Sequence, residues 1–156
     1  MHSNEVQRRD FPDHKRCGGG IGMNEIVNVE FDWVTERSLC SLQRVFERLG
    51  LEIQHDVDVR NAMRPAIPQF GFEYAFEMVG DEKSFAVHLH AYKIHKSVTF
   101  TLVDGHIEVR DANEKTFVAT VGLNDEGACM LYVDGKERSS WHVRKLALDD
   151  LFFSFV

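Results

Sequence analysis

No stretch of the sequence approaches the ~18 consecutive apolar residues of a membrane-spanning helix. Gln7-Arg8-Arg9-Asp10-Phe11 faintly matches a twin-arginine export signal, but Pro12, Asp13, His14 and Lys15 stand where an apolar segment is required. Membrane insertion and export are therefore not expected. Cysteine is scarce: Cys17, Cys40 and Cys129 are odd in number and form no C-x-x-C, so neither a disulfide framework nor a zinc ribbon is indicated. Reduced thiols in a cytoplasm are the expectation, with Cys40 and Cys129 as small buried hydrophobes. Excess positive charge is also lacking. The formal net charge is −7; Arg8, Arg9, Lys15 and Arg16 against Glu5, Asp10 and Asp13 leave residues 1–22 at +1, so the remainder carries −8. An acidic body repels phosphate backbones and anionic lipid, which argues against nucleic acid and membranes as partners.

Catalytic signatures are missing as well. There is no G-x-S-x-G elbow. Gly18 to Gly22 has no Lys-Ser/Thr behind it and reads as a linker rather than a phosphate loop. His95-Lys96-Ser97 has no second H-x-S/T unit to make a two-histidine phosphoesterase, and His95 is expected in a turn. Asp149-Asp150 and the Glu25, Glu30 pair show no apolar surroundings that would raise a carboxyl pKa. Trp33 and Trp141 read as core or edge anchors.

What is present fits one domain of ordinary composition: 156 residues, 44% hydrophobic, 28% charged, with twelve phenylalanines to fill a core. Residues 1–22 are polar and glycine-rich and are expected to form a flexible arm ahead of a domain over 23–156, with Met23 an alternative start. Glu25 to Phe31 reads as a strand. Thr35 as N-cap, Leu39, Leu42, Val45, Phe46 and Leu49 at helical spacing, and Gly50 as a stop predict a helix over 36–49. Leu51 to Val59 alternates like a strand, and Arg60 to Gln69, with Pro65 and Pro68, is expected to be irregular. From Phe70 onward short alternating segments and the turn pairs Asp104-Gly105 and Asp134-Gly135 predict a β-meander. The stretch from Trp141 to Leu148 fits either a last strand or a helix capped by Ser139 or Ser140. The apolar end, Leu151 to Val156, is expected to dock on the core or on a partner subunit. The fold class is thus α+β, one long N-terminal helix on a mainly antiparallel meandering sheet, with a β-sandwich or partial barrel under a covering helix as the alternative.

The most informative stretch is His88-Leu89-His90-Ala91-Tyr92. In an extended strand, His88, His90 and Tyr92 project from one face and Phe85, Val87, Leu89 and Ala91 from the other. Neighbouring strands of the meander bring Glu73, Glu77 and His106 toward that polar face. These six residues form the candidate binding set. Two histidines one residue apart, with His106 or a glutamate as third ligand, are a geometry that can hold zinc. A solvated sheet face with cross-strand Glu–His pairs is the reading favoured over it, so no metal or cofactor is expected. Charge, apolar C-terminus and missing catalytic motifs together favour a non-enzymatic interaction protein, self-associating or bound to another protein. A carrier of a small apolar ligand between helix and sheet is the first alternative. A metal-dependent enzyme centred on His88 and His90 is the second.

Overall fold

A computed structural model of the chain describes residues 30–63 and 74–154. The chain divides into compact units at Phe31/Asp32, and every element described below belongs to the second. The expected arm over 1–22 and nearly all of the expected strand over 25–31 lie outside the described residues.

Two helices replace the single one expected over 36–49. Helix α1 spans Trp33–Leu39 and helix α2 spans Leu42–Ala62. Asp32, not Thr35, caps α1: its carboxylate accepts from the Thr35 backbone N–H at 3.2 Å and from the Thr35 hydroxyl at 2.6 Å. The Thr35 hydroxyl first, and the backbone N–H next, hold the Asp32 carboxyl below its ordinary range. Ser41 then caps α2 by accepting from the Arg44 N–H at 3.3 Å. The interruption is a cap-to-cap junction at Cys40 and Ser41.

Helix α2 runs through Gly50 and takes in the expected strand over 51–59. Phe46, Leu49, Ile53, Val57 and Arg60 are its buried residues, spaced three or four apart, so the helical period wins over the alternating one. Leu51, required inside by the strand reading, is 75% exposed. Gly50 does not end the helix; a Cβ there would meet Phe85 Cε1 at 3.5 Å, an ordinary contact with the sheet. The helix also claims Arg60 to Ala62 from the segment expected to be irregular.

Seven strands follow in strict sequential order, all antiparallel: β1 (Tyr74–Gly80), β2 (Ser84–Ala91), β3 (Ile94–Val103), β4 (His106–Asp111), β5 (Thr116–Leu123), β6 (Cys129–Val133) and β7 (Lys136–Arg138). Helix α3, Ser140–Phe153, closes the described chain and resolves the ambiguous stretch after Trp141 as helix. The architecture is α+β, an open antiparallel meander with helices packed on it. Its main helix is not N-terminal, since α1 and more than thirty residues precede it. No described helix is long and apolar enough to cross a membrane.

The turns follow local chemistry. Asp134 and Gly135 both have positive φ, 52° and 73°, as a type I′ hairpin requires. At the β1–β2 turn, Asp81 accepts from the backbone N–H groups of Lys83 and Ser84, and these two bonds hold its carboxyl below the usual range. Gly80 is required there because a Cβ would collide with the backbone of Ser84 and Phe85.

One face of the sheet carries the core. Phe46 meets Phe85 with ring centroids 5.2 Å apart, Phe85 stacks on Phe100 at 5.0 Å, and Phe152 meets Phe76 edge-on at 5.0 Å. Ile53, Val87, Phe100, Ile107 and Ala119 are fully excluded from solvent. Leu151 and Phe152 are buried here too, so the chain end docks on this core through those two residues, while Phe155 and Val156 lie outside the described residues.

The thiol expectation is overturned. Cys40 and Cys129 form a disulfide, with Cα atoms 5.4 Å apart across 89 positions of sequence. Cys40 is buried as expected, whereas Cys129 is exposed. The bond fixes the α1–α2 junction to the start of β6. Helix α1 has no buried residue of its own.

Both sheet edges are blunted. On β1, Asn61 of α2 donates Nδ2–H to the Phe76 carbonyl at 2.8 Å and accepts the Phe76 N–H at 2.9 Å, standing in for a neighbouring strand. The opposite edge, β7, is three residues long and reads Lys-Glu-Arg.

Two outcomes follow. Reducing Cys40–Cys129 lowers the urea midpoint; for a loop of this length chain entropy sets an upper figure of about 4–5 kcal/mol, and an unchanged midpoint in dithiothreitol refutes a stabilising bond. Asn61→Leu uncovers two backbone groups of an edge strand and costs about 1–3 kcal/mol, with a rise in aggregation by light scattering; a variant as stable and monodisperse as the parent shows that the edge needs no cap.

Candidate functional site

The histidine pair sits on the outer face of the sheet, as the alternation in β2 dictates. His88 is half-buried and His90 exposed, with Phe85, Val87 and Leu89 buried on the reverse side. Their rings stack with centroids 5.8 Å apart. Glu77 pairs with His88 in register, but its carboxylate reaches diagonally to His90 Nε2 at 2.9 Å.

The other members of the candidate set are dispersed. Tyr92 is in the β2–β3 turn rather than on the strand face, stacked under the Lys93 ammonium 5.1 Å from its ring centroid. His106 lies opposite Val103, six residues along β3 from the Ser97 that faces His88. At ~3.3 Å per residue that is about 20 Å, too far for a shared metal. Glu73 lies outside the described residues. The residue that does join the pair is His95, directly opposite His90, with ring centroids 6.3 Å apart. It was expected in a turn at 95–96. The turn instead falls at Tyr92-Lys93, where Lys93 takes φ 58°, so β3 starts at Ile94 and carries His95. Among the described residues no three His, Cys, Asp or Glu side chains converge in a way that could hold a metal ion.

A second candidate lies on the helical side, where α2 and α3 run alongside each other. A recess of about 260 Å³ opens between them, walled by Val59, Met63, Trp141, Leu148, Phe152 and Phe153. Several of these are solvent-exposed although large and apolar: Met63 is 61%, Trp141 55% and Phe153 51% exposed. Charged residues frame the rim. Arg144 Nη1 donates to Asp56 at 2.5 Å, and its Nε lies 3.4 Å from Glu52 without aligning for a hydrogen bond. Ser140 also donates to Glu52. Lys145 pairs with Asp149 across one helical turn at 3.6 Å.

Arg60 lies within the recess and is only 4% exposed. Its Nε donates to the Phe152 carbonyl at 2.9 Å. Its guanidinium carbon stands 5.4 Å from the Tyr74 ring centroid, and 5.2 Å from those of Phe76 and Phe153. The sequence signal for Arg60 was its place in the stripe Leu49, Ile53, Val57, three positions further on. The nearby prolines obscured it.

A third hollow, about 390 Å³, separates α3 from the ends of β3 and β4. Its charged side chains are not buried, and Asp111 there is committed to the backbone N–H groups of Asn113 and Lys115.

No protein-family model, no curated protein and no solved structure matches the chain.

The groove walls and their supports respond differently to substitution. Trp141→Ala, on an exposed wall, changes stability by no more than about 0.5 kcal/mol. Arg144→Ala leaves Glu52 and Asp56 facing each other and costs about 1–2 kcal/mol. Urea unfolding of both variants checks this; a large loss for Trp141→Ala assigns the tryptophan to the core instead.

Proposed function

We propose that this chain is a non-enzymatic binding protein that recognises a protein partner through the groove between α2 and α3. The observation carrying this reading is the gathering of Val59, Met63, Trp141 and Phe153, all exposed, around one recess. Large apolar side chains clustered on a surface and rimmed by charge mark an interaction site more often than a solvated face. The blunted edges at β1 and β7 favour the helical side over addition of a strand to the sheet. The −8 of the body favours a partner with basic character around the contact.

Self-association through this groove is the second reading, favoured by the same exposed apolar surface. A two-fold contact would bury it against its own copy. The expectation of a cytoplasmic protein rests on unpaired thiols. The Cys40–Cys129 bond removes that basis, and an oxidising compartment fits better.

The test is the double variant Met63→Glu/Trp141→Glu, which places charge on the exposed walls of the groove. The expected result is loss of a cross-linked partner captured by the wild-type protein, or a fall from dimer to monomer mass by light scattering, with the unfolding midpoint preserved. Identical partners and identical mass in both proteins would rule the groove out.

A further inference from the structure

We infer that the groove between α2 and α3 recognises a free C-terminal carboxylate, presented by a partner polypeptide whose last residue is apolar. This rests on the reading of that groove as the recognition site.

The argument starts from Arg60. A guanidinium carries five N–H donors and a permanent charge, and burial requires that both be answered. Around Arg60, the Phe152 carbonyl takes the Nε–H. The rings of Tyr74, Phe76 and Phe153 meet the cation through π-systems, which supply attraction but no in-plane hydrogen-bond acceptor. Among the described residues no carboxylate pairs with it, and neither Nη is both buried and without a partner, a state found only at Arg144 Nε. The side chain is 4% exposed and lines the recess, a cation with no carboxylate beside it among the described residues. A carboxylate matches that fork with two parallel bonds.

Among the described residues the other cations lining the recess are paired. Arg144 is held by Asp56 and Glu52, and Lys145 by Asp149. Among the described lining residues Arg60 is thus the cation without a carboxylate partner, at an apolar wall in a body of net charge −8. Its volume, about 260 Å³, falls below the ~300–1,000 Å³ of sites that enclose a whole drug-sized ligand. It suits one anchoring side chain and the carboxylate beside it, with the remainder of the ligand outside. A chain terminus has that form.

The test is calorimetric titration of the full chain with an acetylated hexapeptide ending in Leu, as the free acid and as the C-terminal amide, and with octanoate. The free acid is expected to bind at least about tenfold tighter than the amide, the gain of a charge-assisted bidentate pair. Arg60→Met is expected to erase that difference, the free acid losing more affinity than the amide. Because the acid–amide comparison uses the wild-type protein, it stands even if Arg60→Met fails to fold. Trp141→Ala, on the wall, is expected to weaken both forms alike. Equal affinity for acid and amide overturns the carboxylate assignment but leaves the groove as a binding site. Binding of octanoate without the peptide overturns the polypeptide terminus in favour of a small apolar acid. Absence of binding by every probe overturns the inference, while partner capture by the wild-type groove separately decides the reading on which it rests.

Discussion

A sheet with one apolar face and one polar face has to be covered on the apolar side, and that requirement organises this protein. Helix α2 lays Phe46, Leu49, Ile53 and Val57 along it, and α3 adds Val143, Leu148, Leu151 and Phe152. At roughly 25 cal/mol per Å² of apolar area, each such side chain contributes about 1.5–3 kcal/mol relative to exposure. The Phe46–Phe85–Phe100 contacts join helix to sheet at the centre. Everything else described sits around this layer: the disulfide beside it, the edge cap at its margin, and the groove on its outer surface.

The last turn of α2 places an edge cap beside a buried cation. Asn61 turns toward β1 and closes an edge. Its neighbour Arg60 turns toward α3, bonds the Phe152 carbonyl and lies among three rings. One residue step thus separates a group that seals the sheet edge from a buried cation that lines the groove. The helix supplies both because successive residues differ by about 100° around its axis.

Much of this was legible in the sequence wherever the physics is local. The meander follows from period-two patterning and from the Asp104-Gly105 and Asp134-Gly135 turns. Phe46 and Leu49 were placed in the core by their spacing. The histidine pair was placed on the polar face by alternation alone. What failed was non-local or ambiguous over a short window. Leu51, Ile53, His55, Val57 and Val59 fit a strand over nine residues, and only continuity with Phe46 and Leu49 reveals the helical stripe. The β2–β3 turn was misplaced because Lys93 adopts a backbone conformation more typical of glycine or asparagine. That error hid the approach of His95 to His90. The Cys40–Cys129 bond joins residues 89 positions apart, and no spacing rule reaches so far. The groove escaped notice for the same reason, since its two walls come from opposite ends of the domain.

The sequential strand order carries a consequence for how the molecule assembles. Every strand pairs with its immediate neighbour in sequence, so the sheet can zip from turn to turn with little loop-closure entropy at each step. The helical layer is the opposite case: Asp56 meets Arg144 across 88 positions and Arg60 meets Phe152 across 92. Those contacts become cheap only after the intervening meander has drawn its two ends together. Loop-closure entropy therefore places the meeting of the two helices after the zipping of the sheet. The surface proposed to face a partner is also the seam between those two helices, and occupying it would fasten the contacts that join the two ends of the domain.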